Sequence, residues 1–172
     1  VAEYEPQTYQ IITMIERDMN LQNTTETDIN YTQCYPLCFV NQVLCMDWQE
    51  GIKLVFDKSV DLVVTDPPYG MQFQSNHRNI KHKSIQNDDN LDWLGSWCKE
   101  LKRVCKDEAH LYVFCSWHNV DVFKQKLGAY FQIKNILIWE KNNTGMGDLE
   151  GDYAPKYEMI IFCSNGQKKL NG

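Results

Sequence analysis

The sequence lacks any long apolar run. Stretches such as Met159-Ile160-Ile161-Phe162-Cys163 reach about five residues, whereas a helix crossing a bilayer needs roughly 20, so no membrane-spanning helix is expected. A basic segment leading into an apolar one is also missing from the start, which speaks against a secretory leader. Positive charge is scarce: 17 Lys and Arg stand against 23 Asp and Glu, a formal net charge of −6. The chain as a whole does not attract phosphate backbones, and any contact with nucleic acid has to be local. No Cys-x-x-Cys pair occurs among the seven cysteines, at 34, 38, 45, 98, 105, 115 and 163. Their odd number suits reduced thiols in a cytoplasmic protein. Cys34 and Cys38 offer two metal ligands, but no second pair follows at zinc spacing, so packing is expected and no metal.

What is present is enough for one core: 172 residues, 43% of them hydrophobic and 12% aromatic. Residues 1–41 read as an appended amphipathic helix (Tyr9, Ile12, Ile15, Met19) and a polar linker (Gln22 to Asp28). From Gln42 the pattern alternates. Gln42 to Met46 reads as a strand, Trp48 to Phe56 as a helix and Asp61 to Thr65 as a buried strand, which together make a βαβ unit. After a polar loop from Gly70 to Asn90, Asn90 is a good N-cap for a helix carrying Leu91, Leu94, Trp97, Leu101 and Val104 on one face. Strand His110–Cys115, helix Asn119–Leu127, strand Ile133–Trp139, a glycine-rich loop and strand Tyr157–Cys163 follow. The expected fold is α/β: a doubly wound, mostly parallel sheet with a late antiparallel hairpin. Ligands then belong at the carboxyl ends of the strands. The segments there are Asp47-Trp48, Asp66-Pro67-Pro68-Tyr69-Gly70 and Ser116-Trp117-His118.

Asp66-Pro67-Pro68-Tyr69-Gly70 is the most informative of these. An exocyclic amine of a nucleobase is a poor nucleophile because its lone pair is delocalised into the ring. A site that alkylates it must accept both N–H bonds and favour a pyramidal nitrogen. An ionised Asp66 is acceptor-only, and Pro67 offers a carbonyl without a competing N–H, on a backbone whose φ is fixed. Tyr69 supplies a flat face for an extruded base, and Gly70 permits close backbone approach. The plain alternative is a proline-stiffened loop after a core strand.

At this motif the chain resembles the S-adenosylmethionine-dependent DNA amino-methyltransferases, whose catalytic motif is D/N/S-P-P-Y/F/W. The resemblance runs from about Gln42 to Gly166. It takes in Cys45-Met46-Asp47-Trp48, Val60 to Thr65 leading into the motif, Arg103 to His110, Ile138 to Asn143 and Tyr157 to Phe162. It implies a Rossmann-like methyltransferase fold, S-adenosylmethionine as cofactor and base-flipped double-stranded DNA as substrate. Asp66, Pro67, Pro68 and Tyr69 would be the catalytic set. Asp47, Trp48 and Asp66 would lie near the cofactor, with Asp47 equally readable as a helix N-cap. Gly70, Trp139 and Lys141 would wall the base pocket, although Trp139 is equally readable as core. The leading Asp, rather than Ser, favours adenine N6 over cytosine N4 within this family.

The family's glycine loop, D-P-F-x-G-x-G-T, has no counterpart. Gly145-Met146-Gly147 is followed by a strand and reads as a hairpin loop. In the permuted branch of the family the catalytic motif precedes the glycine loop, so residues 42–172 are expected to be the catalytic half of a domain. The remainder would come from a longer chain, a complementing half or a homodimer partner. A non-catalytic remnant or scaffold subunit is the rival from another class. The loop Ser75 to Lys83 carries Arg78, Lys81 and Lys83 and no acid, so these are the phosphate-contact candidates. The alternative there is a solvated loop balanced by Asp88, Asp89 and Asp92. A bacterial or phage-like, cytoplasmic, DNA-associated setting goes with this resemblance, as in restriction-modification.

Overall fold

The computed structural model describes residues 46–71, 89–142 and 156–167. The N-terminal helix and linker, all but the last residue of the strand expected over Gln42–Met46, and the Gly145–Gly147 loop lie outside them. The elements are α1 (Trp48–Lys53), β1 (Val60–Thr65), α2 (Leu94–Val104), β2 (Cys105–Cys115), α3 (Val120–Gly128), β3 (Gln132–Glu140) and β4 (Tyr157–Ser164). The four strands form one sheet in the order β1-β2-β4-β3. β1 and β2 are parallel, and β4 is antiparallel to both β2 and β3. The late hairpin is therefore β3–β4, folded so that its second strand inserts beside β2.

Side-chain alternation along β2 builds the core. Ala109, Leu111, Val113 and Cys115 point to one face and are buried with Leu94, Trp97, Cys98, Leu101 and Val104 of α2 and Phe123 and Leu127 of α3. The α2 positions recur at helical spacing, so burying a single stripe stabilises the helix and covers the sheet together. On the opposite face of β2, Tyr112 stacks on Phe162 with centroids 4.8 Å apart, and His110 meets the same ring edge-on at 5.2 Å. Arg103, in the last turn of α2, donates to the carbonyls of Ile52 and Val55 and to the carboxylates of Asp57 and Glu100. One guanidinium thus closes the C-terminal end of α1 against α2.

Several element ends differ from the sequence reading. Asn90 does not cap α2: its Oδ1 accepts from the Asp92 N–H at 3.0 Å, closing a turn, and the helix begins at Leu94 with Trp93 in the cap position. The helix expected to reach Phe56 ends at Lys53. β2 starts at Cys105 rather than His110, because Asn165, after β4, ties down its polar first half. The Asn165 side-chain amide donates to the carbonyls of Cys105 and Lys106, and its Oδ1 accepts from Lys102. Its backbone exchanges hydrogen bonds with Ala109 and Glu108.

Candidate active site at the carboxyl ends of β1 and β2

β1 ends at Thr65, which is buried, and the next residue, Asp66, is exposed. Two consecutive prolines cannot donate to a sheet ladder, so they terminate the strand and turn the chain across the sheet end. Both are buried, which makes the turn a rigid support for the residues on either side. Tyr69 is half-buried, and its hydroxyl donates to Asp66 Oδ1 at 2.5 Å. Burial, then the hydrogen bond to Asp66 and the charges of Asp66 and Glu158, push the phenol well above its ordinary range. Tyr69 is therefore a neutral donor at any working pH. Gly70 has φ +71°, and a Cβ there would lie 3.0 Å from Leu91 Cγ, so the turn leaves the sheet through a left-handed position pressed against Leu91.

The parallel pairing of β1 with β2 brings the residues after Cys115 to the same sheet end. Asn119 donates from Nδ2 to the Tyr69 carbonyl at 2.7 Å. Ser116 Oγ accepts from the His118 N–H at 3.3 Å and lies 3.1 Å from His118 Nδ1, fixing a short turn. The Trp117 and His118 rings stand 3.8 Å apart, and Trp117 is exposed.

The hairpin supplies the other side. Cys115 pairs with Met159, and Trp139 with Glu158, so the late part of β3 and the start of β4 flank the same end. Glu158 forms an ion pair with Lys141. Trp139 is 52% exposed and meets Phe114 edge-on at 5.9 Å, which removes the core-packing reading of this tryptophan. Trp139, Glu140, Lys141, Asn142 and Glu158 line an open cleft of about 430 Å³. Asp66 to Tyr69 are not among its lining residues.

Asp47 caps α1, its Oδ1 accepting from the Gln49 N–H at 2.8 Å, and the residue stays exposed. Trp48 is half-buried, 6.5 Å from Trp93, which in turn meets Trp97 at 5.8 Å. Leu91, the neighbour of Gly70, packs on the same core as Trp48 and Trp93. Arg78, Lys81 and Lys83 lie outside the described residues. Among the described residues no cluster of His, Cys, Asp and Glu could hold a metal, and no helix is long and apolar enough to cross a membrane.

Sequence reasoning gave no site role to Asn119 or Glu158. The signal for Asn119 was its place between a strand end and a helix start. Glu158 reaches the site only through the hairpin register, which no local pattern encodes.

Comparison with known proteins bears on the family and the fold. A family model of DNA methylases matches residues 60–172. The chain is 26% identical over 135 residues to the type II methyltransferase M.HpaI of Haemophilus parainfluenzae, covering 75% of this chain and 40% of that protein. It is 27% identical over 142 residues to the DNA adenine methyltransferase YhdJ of Escherichia coli K12, covering 80% and 46%. It thus spans less than half the length of these relatives. Among solved structures, the M1.HpyAVI–SAM complex superposes with a TM-score of 0.52 at 19% identity, over 74% of this chain and 55% of that one. That likeness identifies the fold as Rossmann-like. With the model covering both the proline turn and the hairpin, the chain belongs to the DNA methylase family.

Proposed function

We propose that this chain carries the catalytic half of an S-adenosylmethionine-dependent DNA methyltransferase that modifies adenine N6 in double-stranded DNA after the base is flipped out. The observation that carries the reading is the Asp66–Tyr69 turn. An exposed carboxylate stands at a strand end on two buried prolines, with one of its oxygens already engaged by the Tyr69 hydroxyl. Held that way, the carboxylate presents its remaining acceptor capacity outward, and with the Pro67 carbonyl it can accept both hydrogens of an exocyclic amine. Accepting those hydrogens draws electron density back onto the nitrogen and favours its pyramidal form. The half-buried Tyr69 ring and the exposed Trp139 offer flat surfaces to an extruded base. Asp66 need not be a strong base, since the methylated ammonium is itself acidic.

S-Adenosylmethionine supplies an electrophilic methyl group when bound. The described residues fit part of that ligand. The exposed Asp47 carboxylate at the start of α1 suits a hydrogen-bond donor of the adenosyl portion, and the half-buried Trp48 suits an aromatic ring. Asp66 suits the positive sulfonium. No glycine-rich strand-to-helix turn occurs among the described residues, so the methionine portion would be held by other parts of the protein. Arg78, Lys81 and Lys83 would meet phosphates near the flipped base.

One relative named for its substrate supports adenine: YhdJ is called a DNA adenine methyltransferase. The test is transfer of a labelled methyl group to defined duplexes, followed by nucleoside analysis. N6-methyladenine is the expected product; N4-methylcytosine would move the reading to the sister chemistry. Asp66→Ala is expected to abolish transfer while leaving the melting temperature nearly unchanged, because the side chain is exposed. Loss of folding on this change would contradict a purely catalytic role. Donor binding without transfer to any duplex would favour a scaffold subunit.

A further inference from the structure

Asn119 occupies the N-cap position of α3 without capping it. An asparagine there ordinarily accepts from a backbone N–H of the first turn, yet no side-chain cap bond is made at α3. Its amide instead donates to the carbonyl of Tyr69 at 2.7 Å. The helix forgoes a stabilising contact, and the catalytic turn receives it. The contact also falls just past the two prolines. Pro67 and Pro68 have fixed φ, so backbone freedom returns at Tyr69 and Gly70, and Gly70 already sits at φ +71°. The base from which Asn119 reaches is itself anchored. Its N–H donates to Ser116 O at 3.2 Å, its carbonyl accepts from the Phe123 N–H at 3.0 Å, and Phe123 and Leu127 are fully buried.

We propose that Asn119 is a positioning residue: by holding the Tyr69 carbonyl it sets the directions of the Asp66 carboxylate and the Pro67 carbonyl towards the amine. This rests on the methyltransferase reading above. The Tyr69 hydroxyl then ties the turn to Asp66, and the Tyr69 carbonyl ties it to α3.

Asn119→Asp separates this role from a structural one. The substitution keeps the shape and supplies an excellent helix cap, but turns an acceptor towards the Tyr69 carbonyl. An asparagine with a merely structural role would leave kcat of the folded protein unchanged, whichever way the melting temperature moves. The positioning role predicts that kcat falls about 100-fold, the scale of a misplacement near 1 Å, while KM for the methyl donor stays within about twofold. A second readout needs no turnover. In the isotopically labelled full chain, the Tyr69 carbonyl carbon resonance, detected through the Gly70 amide, should move upfield as its donor is lost, and Asn119→Ala should move it the same way. Should the unsubstituted protein transfer no methyl group, the functional reading fails while this resonance still decides the contact. An unmoved resonance in both variants, or a moved resonance with unchanged kcat, overturns the proposal.

Discussion

Among the described residues four buried thiols are expected to make the fold sensitive to alkali. Cys98, Cys105, Cys115 and Cys163 are at most 1% exposed, and burial pushes each from 9.0 to about 12. In the unfolded chain the same thiols titrate near their ordinary value. Between the two values the native state keeps protons that the unfolded state has released, so stability is complete below about pH 9 and falls as pH rises towards 12. Each thiol costs about 1.4 kcal/mol per pH unit in that window. One unit above the unfolded value, four thiols together remove about 5–6 kcal/mol, comparable with the entire stability of many small domains. The expected outcome is a steep drop in the urea midpoint, followed by tryptophan fluorescence under reducing conditions, between about pH 8 and pH 10. Cys98→Ala should lower stability at neutral pH through lost packing yet flatten the alkaline slope by about one quarter. A urea midpoint that is the same at about pH 8 and pH 10 would refute the reasoning, since it would mean that these thiols ionise as readily folded as unfolded.

Three further substitutions test the support of the sheet and of the candidate site. Gly70→Ala forces a side chain into a left-handed backbone position and against Leu91; it should cost about 1–2 kcal/mol in urea unfolding and slow methyl transfer, whereas no loss in either would show that the turn relaxes freely. Asn165→Ala strips the carbonyls of Cys105 and Lys106 and the Lys102 ammonium of a partner; a loss of about 2–4 kcal/mol is expected by chemical denaturation, with donor binding unaffected because the residue lies at the opposite end of the sheet. Among the described residues Thr65 Oγ1 is buried without a hydrogen-bond partner; Thr65→Val, near in shape, should raise stability by about 1 kcal/mol, and a fall would reveal a role for the hydroxyl.

The interior of each described element was legible in the sequence, as were borders such as Thr65, Cys115 and Tyr157, and other borders were not. Apolar runs such as Leu111 to Cys115 and Met159 to Cys163 mark strands because both faces of a central strand meet other side chains. Lys106-Asp107-Glu108 carries no such mark and reads as loop. It joins β2 because Asn165, far along the chain, supplies its hydrogen bonds. Asn90 is a good cap by composition, but its side chain closes a turn with Asp92 before the helix begins. The candidate catalytic turn was legible as a local motif, since acid, double proline, aromatic and glycine are contiguous. Asn119, Glu158 and the exposed face of Trp139 depend on which strands become neighbours, and that is decided by the whole sheet.

The Asp66–Tyr69 turn hangs from β1, and among the described residues β1 is laddered to β2 alone. In a strand the amides point alternately to the two sides, so along Val60–Thr65 one set faces β2 and the other faces the sheet border. Amide hydrogen exchange would therefore read this strand as two interleaved populations. The set facing β2 should exchange with the slow core, and the other set at a rate governed by whatever lies beyond the border. Slow exchange in both sets would mean that the sheet continues past β1. Fast exchange in the border set would mean that the turn bearing Asp66 is suspended from a half-secured strand, and that its positional accuracy is set by local opening there.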